Sequence, residues 1–176
     1  MGRVWKFGDN IDTDVIFPGK YTYVAMTHEE MAAHALEGLD PEFAGKVKPG
    51  DVIVAGKNFG CGSSREQAAT CLKAAGIQAV VARSFARIFF RNAINQGLPA
   101  VQCPEAVDGL EDGQMVHLDF SAGLLKKGDD SFHFPPLPSS VLGILEAGGL
   151  VPYIRGKLKK NSGDPSQSFL RKKSQS

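Results

Sequence analysis

The chain alternates between short apolar runs, which predict β-strands, and longer segments with an apolar residue every three or four positions, which predict helices. The predicted strands occupy residues 3–7, 52–54, 78–82 and 98–102. The predicted helices begin at Thr27, at Glu66 and near Phe85, and they end at Gly38, Gly76 and Gly97. This alternation predicts parallel strands joined by right-handed helical crossovers.

Two of the helix starts have the spacing of a capping box, in which a hydroxyl residue is followed three positions later by a glutamate. The pairs are Thr27 with Glu30 and Ser63 with Glu66. We therefore expect the Thr27 and Ser63 side chains to cap the helices that follow them.

The C-terminal half has a different pattern, with two further strand-like segments at 115–120 and 131–134. Ser139 or Ser140 is the expected cap of a last helix, and residues 150–154 are interpreted as an edge strand. From Lys157 onward the chain is rich in Ser, Lys and Gln, which favours a disordered tail over 157–176. The prediction is one α/β domain over residues 1–156, with a parallel-strand core and additional β-strands.

Composition and charge narrow the function classes. The chain has 176 residues and a net charge of +1, so nothing indicates general affinity for nucleic acid or an anionic membrane. No apolar stretch reaches the roughly 18 residues of a membrane helix. Cys61, Cys71 and Cys103 are odd in number and widely spaced, which fits a reducing cytoplasm better than a disulfide framework. We expect no metal site in this chain, since neither these cysteines nor the scattered histidines have ligand spacing.

The most distinctive segment is a glycine loop between a predicted strand and a predicted helix, with the sequence Gly60-Cys61-Gly62-Ser63-Ser64-Arg65-Glu66. Glycines allow the backbone to approach a ligand closely, and the start of a helix favours an anion. The P-loop pattern is absent, and the third glycine of a dinucleotide fingerprint is replaced by Arg65. The loop is either an anion cradle or a plain tight turn.

A second loop contains three carboxylates at Asp9, Asp12 and Asp14. They could form Asx turns, or they could serve as the Asp-x-Asp pair of a magnesium-dependent phosphatase with Asp129 and Asp130 as metal partners. A third alternative is a carboxylate that orients a base on another protein surface.

Four segments in this order, residues 10–16, 58–66, 83–88 and 92–99, resemble the small subunits of aconitase-type hydro-lyases. The similarity covers roughly residues 3–155 and is closest to the stand-alone small subunits of 3-isopropylmalate dehydratase and homoaconitase-like enzymes. It implies a swivelling β/β/α domain. It also implies a large subunit that holds a [4Fe-4S] cluster on its own cysteines, while this chain closes over the cluster and binds no cofactor itself.

The same resemblance implies a role for individual residues. Ser63 matches the serine whose alkoxide removes a proton beside a substrate carboxylate, and Gly60, Cys61 and Gly62 form the loop that presents it. Ser64 and Arg65 match ligands of a substrate carboxylate. Asp14 matches a carboxylate that pairs with a histidine of the large subunit, although aconitases have histidine at the next position, where this chain has Val15. Arg87 is interpreted as structural support.

Substrate choice is expected to depend on Tyr21, Thr22 and Tyr23, where relatives that accept tricarboxylates have an arginine. Aromatic and aliphatic groups suit an alkyl-substituted malate such as isopropylmalate, citramalate or dimethylmalate. Lys20 keeps a homoaconitase-type substrate open as an alternative.

The expected assembly is a heterodimer or heterotetramer with the large subunit, and the isolated chain could self-associate. An alternative of another class is a non-catalytic, anion-binding regulatory module.

Overall fold

A seven-stranded mixed sheet in the order β4-β3-β2-β1-β5-β6-β7 forms the centre of the molecule. The computed structural model describes residues 1–161. The strands are β1 Gly2–Lys6, β2 Val52–Ala55, β3 Ala79–Ala82, β4 Ala100–Gln102, β5 Met115–Asp119, β6 Leu124–Lys127 and β7 Asp130–His133. Strands β1 to β4 are parallel, as the sequence predicts, and β5 to β7 extend the sheet in antiparallel pairs from β1.

The parallel part of the sheet is buried on both faces. Every residue of β2 and β3 is buried. Because successive side chains point to opposite faces of a strand, Val52 and Val54 join one apolar cluster while Ile53 and Ala55 join the other. Continuous rather than alternating apolar strands follow from this two-sided burial.

Eight helices connect and flank the strands of the described chain. They are α1 Thr13–Ile16, α2 His28–Ala33, α3 Phe43–Lys46, α4 Glu66–Ala74, α5 Arg87–Gln96, α6 Pro104–Gly109, α7 Ser139–Glu146 and α8 Leu150–Asn161, with a 3-10 turn over Gly19–Tyr21. None of the helices in this part of the chain is both long and apolar enough to cross a membrane.

Two sequence signals at helix ends are confirmed. Thr27 and Glu30 form a complete capping box: the Thr27 hydroxyl accepts from the Glu30 N–H at 3.2 Å, and the Glu30 carboxylate accepts from the Thr27 N–H at 2.7 Å. Gly97 ends α5 in the left-handed region, with φ of 78°.

The predicted extent of α2 and the predicted cap of α4 are wrong. Helix α2 ends at Ala33 rather than near Gly38, because Leu36 adopts a left-handed φ of 55° and donates its N–H to the Ile16 carbonyl at 2.7 Å. Arg65, not Ser63, occupies the N-cap of α4, and no side chain caps that helix. The Ser63 hydroxyl is thus not engaged in local capping.

The C-terminal segment also differs from the prediction. Residues 150–154 belong to helix α8 instead of an edge strand, consistent with the helical spacing of Val151, Ile154 and Leu158. Helix α8 extends through Asn161, into the segment predicted as a tail, and the rest of that tail lies outside the described residues. Pro138, rather than Ser139 or Ser140, precedes the first turn of α7.

Candidate active site

Three loops meet at the carboxyl ends of β1, β2 and β3, where α/β sheets commonly bind ligands. The glycine loop after β2 is the central one. Its Gly60 N–H donates to the Ile11 carbonyl, and its Cys61 carbonyl accepts from the Thr13 N–H, both at 2.8 Å. On its other side, the Phe59 N–H donates to the Ser84 carbonyl at 3.0 Å. These bonds hold the glycine loop against the loop that contains Asp9, Asp12 and Asp14, although the two loops are far apart in sequence.

The two glycines of the central loop are required by both backbone angle and space. Gly60 has φ of 78°, and a Cβ there would lie 2.1 Å from the Phe89 ring. Gly62 has φ of 93°, and a Cβ there would lie 2.5 Å from a carboxylate oxygen of Asp12. Any other residue at these positions would therefore displace the loop that carries Ser63.

Ser63 lies on the surface, with its hydroxyl directed toward a second hydroxyl. The Ser63 Oγ is 3.3 Å from the Thr13 Oγ1, and Thr13 Oγ1 also donates to the Ser63 carbonyl at 3.1 Å. Thr13 is only 1% exposed, so its position is fixed by the protein interior. While the Thr13 hydroxyl donates to the Ser63 carbonyl, it can also accept a hydrogen bond from the Ser63 hydroxyl. This second bond fixes the rotamer of the Ser63 side chain.

The backbone around Ser63 has unused donors. Among residues 1–161, no protein acceptor receives the N–H groups of Gly62, Ser63 or Ser64. They precede the uncapped N-terminus of α4. Free N–H groups beside the positive end of a helix dipole favour a negative charge. The Cys61 thiol in the same loop stays neutral at ordinary pH, because partial burial and the nearby Asp12 raise its pKa.

Arg65 and Asp14 form an ion pair that the sequence spacing did not indicate. The Arg65 Nη1 also donates to the Phe17 carbonyl at 3.3 Å. The Arg65 side chain is 18% exposed, whereas that of Asp14 is 56% exposed. The guanidinium is thus held by the neighbouring loop, and its carboxylate partner faces solvent.

The three residues predicted to select the substrate have different surroundings. The Tyr21 ring stacks on His34 at 4.0 Å, and its hydroxyl donates to Glu37 at 3.3 Å. Thr22 has a buried hydroxyl for which the described residues provide no partner. Tyr23 is 99% exposed. Tyr21 therefore anchors the loop, and only Thr22 and Tyr23 have polar atoms left for other contacts.

The phosphatase alternative loses its proposed metal partners. The strands β5 and β6 lie between β1 and β7 in the sheet, which separates the Asp9–Asp14 loop from Asp129 and Asp130. Lys127 pairs with Asp130 at 3.0 Å. Within the described part of the chain, no group of three or more metal-ligating side chains occurs.

Two arginines lie at the edge of the site, beside the glycine loop rather than among the residues expected to contact the substrate. Arg87 and Arg91 line a cleft of about 540 Å³ together with Gly60, Gly62, Ala86 and Ile88. Both arginines are exposed, and neither forms an ion pair within residues 1–161. The interpretation of Arg87 as structural support stays a prediction. The spacing of the two arginines by four residues on one predicted helix was the available sequence signal.

A seven-stranded mixed sheet with a glycine loop at the carboxyl edge of its parallel strands fits the class of aconitase-type swivelling domains. The family model of the aconitase C-terminal domain matches residues 9–106, and the chain belongs to that family. The family and the fold class expected from the sequence are therefore confirmed.

The relatives point to one branch of this family. The 3-isopropylmalate dehydratase small subunit of Caldicellulosiruptor saccharolyticus is 50% identical over 96% of this chain and 98% of its own length. The small subunit 1 of Methanopyrus kandleri is 57% identical over 88% of this chain and 91% of its own. The crystal structure of 3-isopropylmalate dehydratase from Methanocaldococcus jannaschii matches with a TM-score of 0.85 at 45% identity, covering 92% of this chain and 96% of that one.

Proposed function

We propose that this chain is the small subunit of a two-subunit 3-isopropylmalate dehydratase, which interconverts the 2-hydroxy and 3-hydroxy isomers of an alkyl-substituted malate. Water is eliminated to give the alkene diacid and is then added back with the opposite orientation. The observation that carries this proposal is the exposed Ser63 hydroxyl beside Arg65 in a chain about half identical to proteins of that name.

Ser63 is proposed as the base that removes a proton from the carbon beside a substrate carboxylate. A serine hydroxyl is a weak base unless its surroundings favour the alkoxide. Here the free N–H groups of the glycine loop and the N-terminus of α4 supply favourable electrostatics. Thr13 Oγ1 holds the hydroxyl in place at 3.3 Å. On the return step, Ser63 donates the proton back to carbon.

Arg65 and the Ser64 hydroxyl are proposed to bind a substrate carboxylate. The planar guanidinium matches a carboxylate in a bidentate geometry. In the structure it binds the Asp14 carboxylate, which is itself a model of that interaction. A substrate carboxylate would compete for the guanidinium and leave Asp14 free to pair with a histidine of the large subunit.

The chemistry also requires an electrophile that weakens the carbon–hydroxyl bond. The thiols of this chain do not suit a cluster, because Cys71 and Cys103 are buried on separate elements and burial raises the pKa of both. We therefore place the [4Fe-4S] cluster on the large subunit, where its iron would act as a Lewis acid on the substrate hydroxyl. This chain supplies the base and the carboxylate site on the opposing surface.

The loop between Gly19 and Val24 supports an alkyl substituent. It holds no arginine, and its own lysine, Lys20, is engaged with Glu37 at 2.8 Å. With Arg65, which lies against Gly19, proposed to bind another substrate carboxylate, a third carboxylate here would lack a free cation. Isopropylmalate therefore fits better than a homoaconitase-type tricarboxylate, while the smaller citramalate and dimethylmalate remain alternatives within the same class.

Reconstitution tests the proposal directly. The chain would be combined anaerobically with the large subunit of 3-isopropylmalate dehydratase from the same organism and assayed with 3-isopropylmalate, citramalate, dimethylmalate and homocitrate. We expect a stable heterodimer or heterotetramer and the highest kcat/KM for 3-isopropylmalate. A complex that binds carboxylates without turnover would instead identify a regulatory module.

A further inference from the structure

Helix α5 begins with two positive charges that no neighbouring carboxylate in residues 1–161 stabilises. Arg87 is the first residue of the helix, where the dipole disfavours a cation, and the first turn contains no acidic residue. Arg91 follows at four residues, so two like charges share one helix face. No carboxylate within residues 1–161 pairs with either of them. Such a conflict at the edge of a site indicates that an external anion is the missing partner.

Exposed apolar side chains flank the two arginines on either side of the helix. Ile88 is 42% exposed, and Phe90 is 40% exposed. Arg87 lines the cleft with Gly60 and Gly62 and also a second cleft with Phe85, Phe90 and Gln102. The surface therefore continues from the glycine loop across α5 to β4. A strip this long exceeds the size of a small dicarboxylic acid, and arginine beside aromatic and aliphatic groups is typical of protein–protein interfaces.

We propose that this strip, formed by Gly60, Gly62, Arg87, Ile88, Phe90 and Arg91, is the docking surface for the large subunit, and this inference rests on the proposed function. The strip is continuous with the loop that carries Ser63, which must face the partner for both halves of the site to meet. The partner segment presents carboxylates to the two arginines and an apolar side chain to Ile88. Association is consequently favoured at low salt, and it weakens as salt screens the attraction between the arginines and the partner's carboxylates.

Charge reversal at the arginines tests this surface. The variant Arg87→Glu/Arg91→Glu is compared with Lys48→Glu/Lys126→Glu, which changes net charge equally at exposed lysines, one before β2 and one on β6. We expect the first to raise the Kd for the large subunit by roughly 100-fold, because like charges then face each other across the interface. The control should bind as the wild type does. Circular dichroism would verify the fold, and Arg87→Gln/Arg91→Gln, a milder change, should flatten the salt dependence of Kd.

Association and turnover are measured separately in the same reconstituted complex. At saturating large subunit the charge-reversed variant should retain the wild-type kcat. An unchanged Kd would overturn the docking surface, and an unchanged Kd with a raised KM would assign the arginines to the substrate instead. If the wild-type complex forms but shows no turnover, the proposed reaction is rejected. The Kd comparison between the charge-reversed variant and its control would still show whether the strip is the docking surface.

Discussion

Asp51 shows how much one buried carboxylate contributes to the frame on which the site is built. It is 5% exposed and accepts hydrogen bonds from the Trp5 Nε1 at 2.9 Å, the Lys48 N–H at 3.0 Å and the Arg3 N–H at 3.1 Å. It thereby joins β1 to the start of β2 at the edge of the sheet opposite the glycine loop. Sequence alone could not assign this role, because its donors become neighbours only in the folded sheet.

We therefore expect Asp51→Ala to lower the free energy of unfolding by about 3 kcal/mol, since buried donors would lose their acceptor. Urea denaturation of the isolated chain measures this change. Asp129→Ala, at an exposed turn, is the control and should leave the free energy of unfolding unchanged within about 0.5 kcal/mol. Equal effects of the two substitutions would refute the structural role of Asp51.

At the scale of elements, the glycine loop and α5 depend on one another through close packing. Gly60 lies against Phe89, and Phe89 packs edge-on against Phe59 at 5.1 Å between ring centroids. The loop therefore takes its shape from the helix that follows the next strand. The sequence indicated glycines for a tight turn, but not which side chain requires the absence of a Cβ.

Gly60→Ala should destabilise the chain by about 3 kcal/mol, because it combines a left-handed φ with overpacking against Phe89. Gly113→Ala is a matched control: Gly113 has φ of 81°, and a Cβ there would meet no atom within 4 Å. Its cost should be only the backbone part, about 1 kcal/mol. Thermal unfolding of both variants separates the two contributions, and equal losses would show that the Phe89 contact is unimportant.

The stability of the loop around Tyr21 depends on pH, because the Glu37 carboxylate accepts hydrogen bonds there. Its pKa is lowered mainly by the hydrogen bond from Lys20, with a smaller contribution from His34. A depressed folded-state pKa stabilises the fold above the unfolded value of 4.5, and this stabilisation is lost as pH falls through the folded value. Glu37→Gln should therefore lose less stability than wild type on acidification below pH 4.5. Parallel acid unfolding curves for wild type and Glu37→Gln would contradict this.

The alternating elements from β2 to β4 were predictable, because buried strands and amphipathic helices of that length have strong periodic signals. The short helices α1, α3 and α6 were not, since elements of four to six residues depend on tertiary contacts. Strand β6 was missed because Leu124–Lys127 is also short and contains as many lysines as leucines, so it has no apolar pattern. Helix α8 was misread as a strand because a short apolar run fits either period.

At the scale of the whole molecule, the proposed functional groups share one edge of the sheet. The proposed base, the proposed carboxylate site and the proposed docking strip all lie around the loops at the carboxyl ends of the parallel strands, while β5 to β7 extend the sheet away from them. The motif residues Ser63 and Arg65 could be identified from the sequence. The Arg65–Asp14 pair required the fold, because its members come from distant segments, and so did the cleft that α5 forms with the glycine loop.

The most direct test of the central claim is the turnover of Ser63→Ala in the reconstituted two-subunit complex with 3-isopropylmalate. General bases contribute about 100- to 10,000-fold to rate, so we expect kcat to fall within that range while the Kd for the large subunit stays unchanged. Ser140→Ala, an exposed serine on α7, should behave as wild type in both measurements. A Ser63→Ala complex that retains wild-type kcat would show that this hydroxyl is not the base.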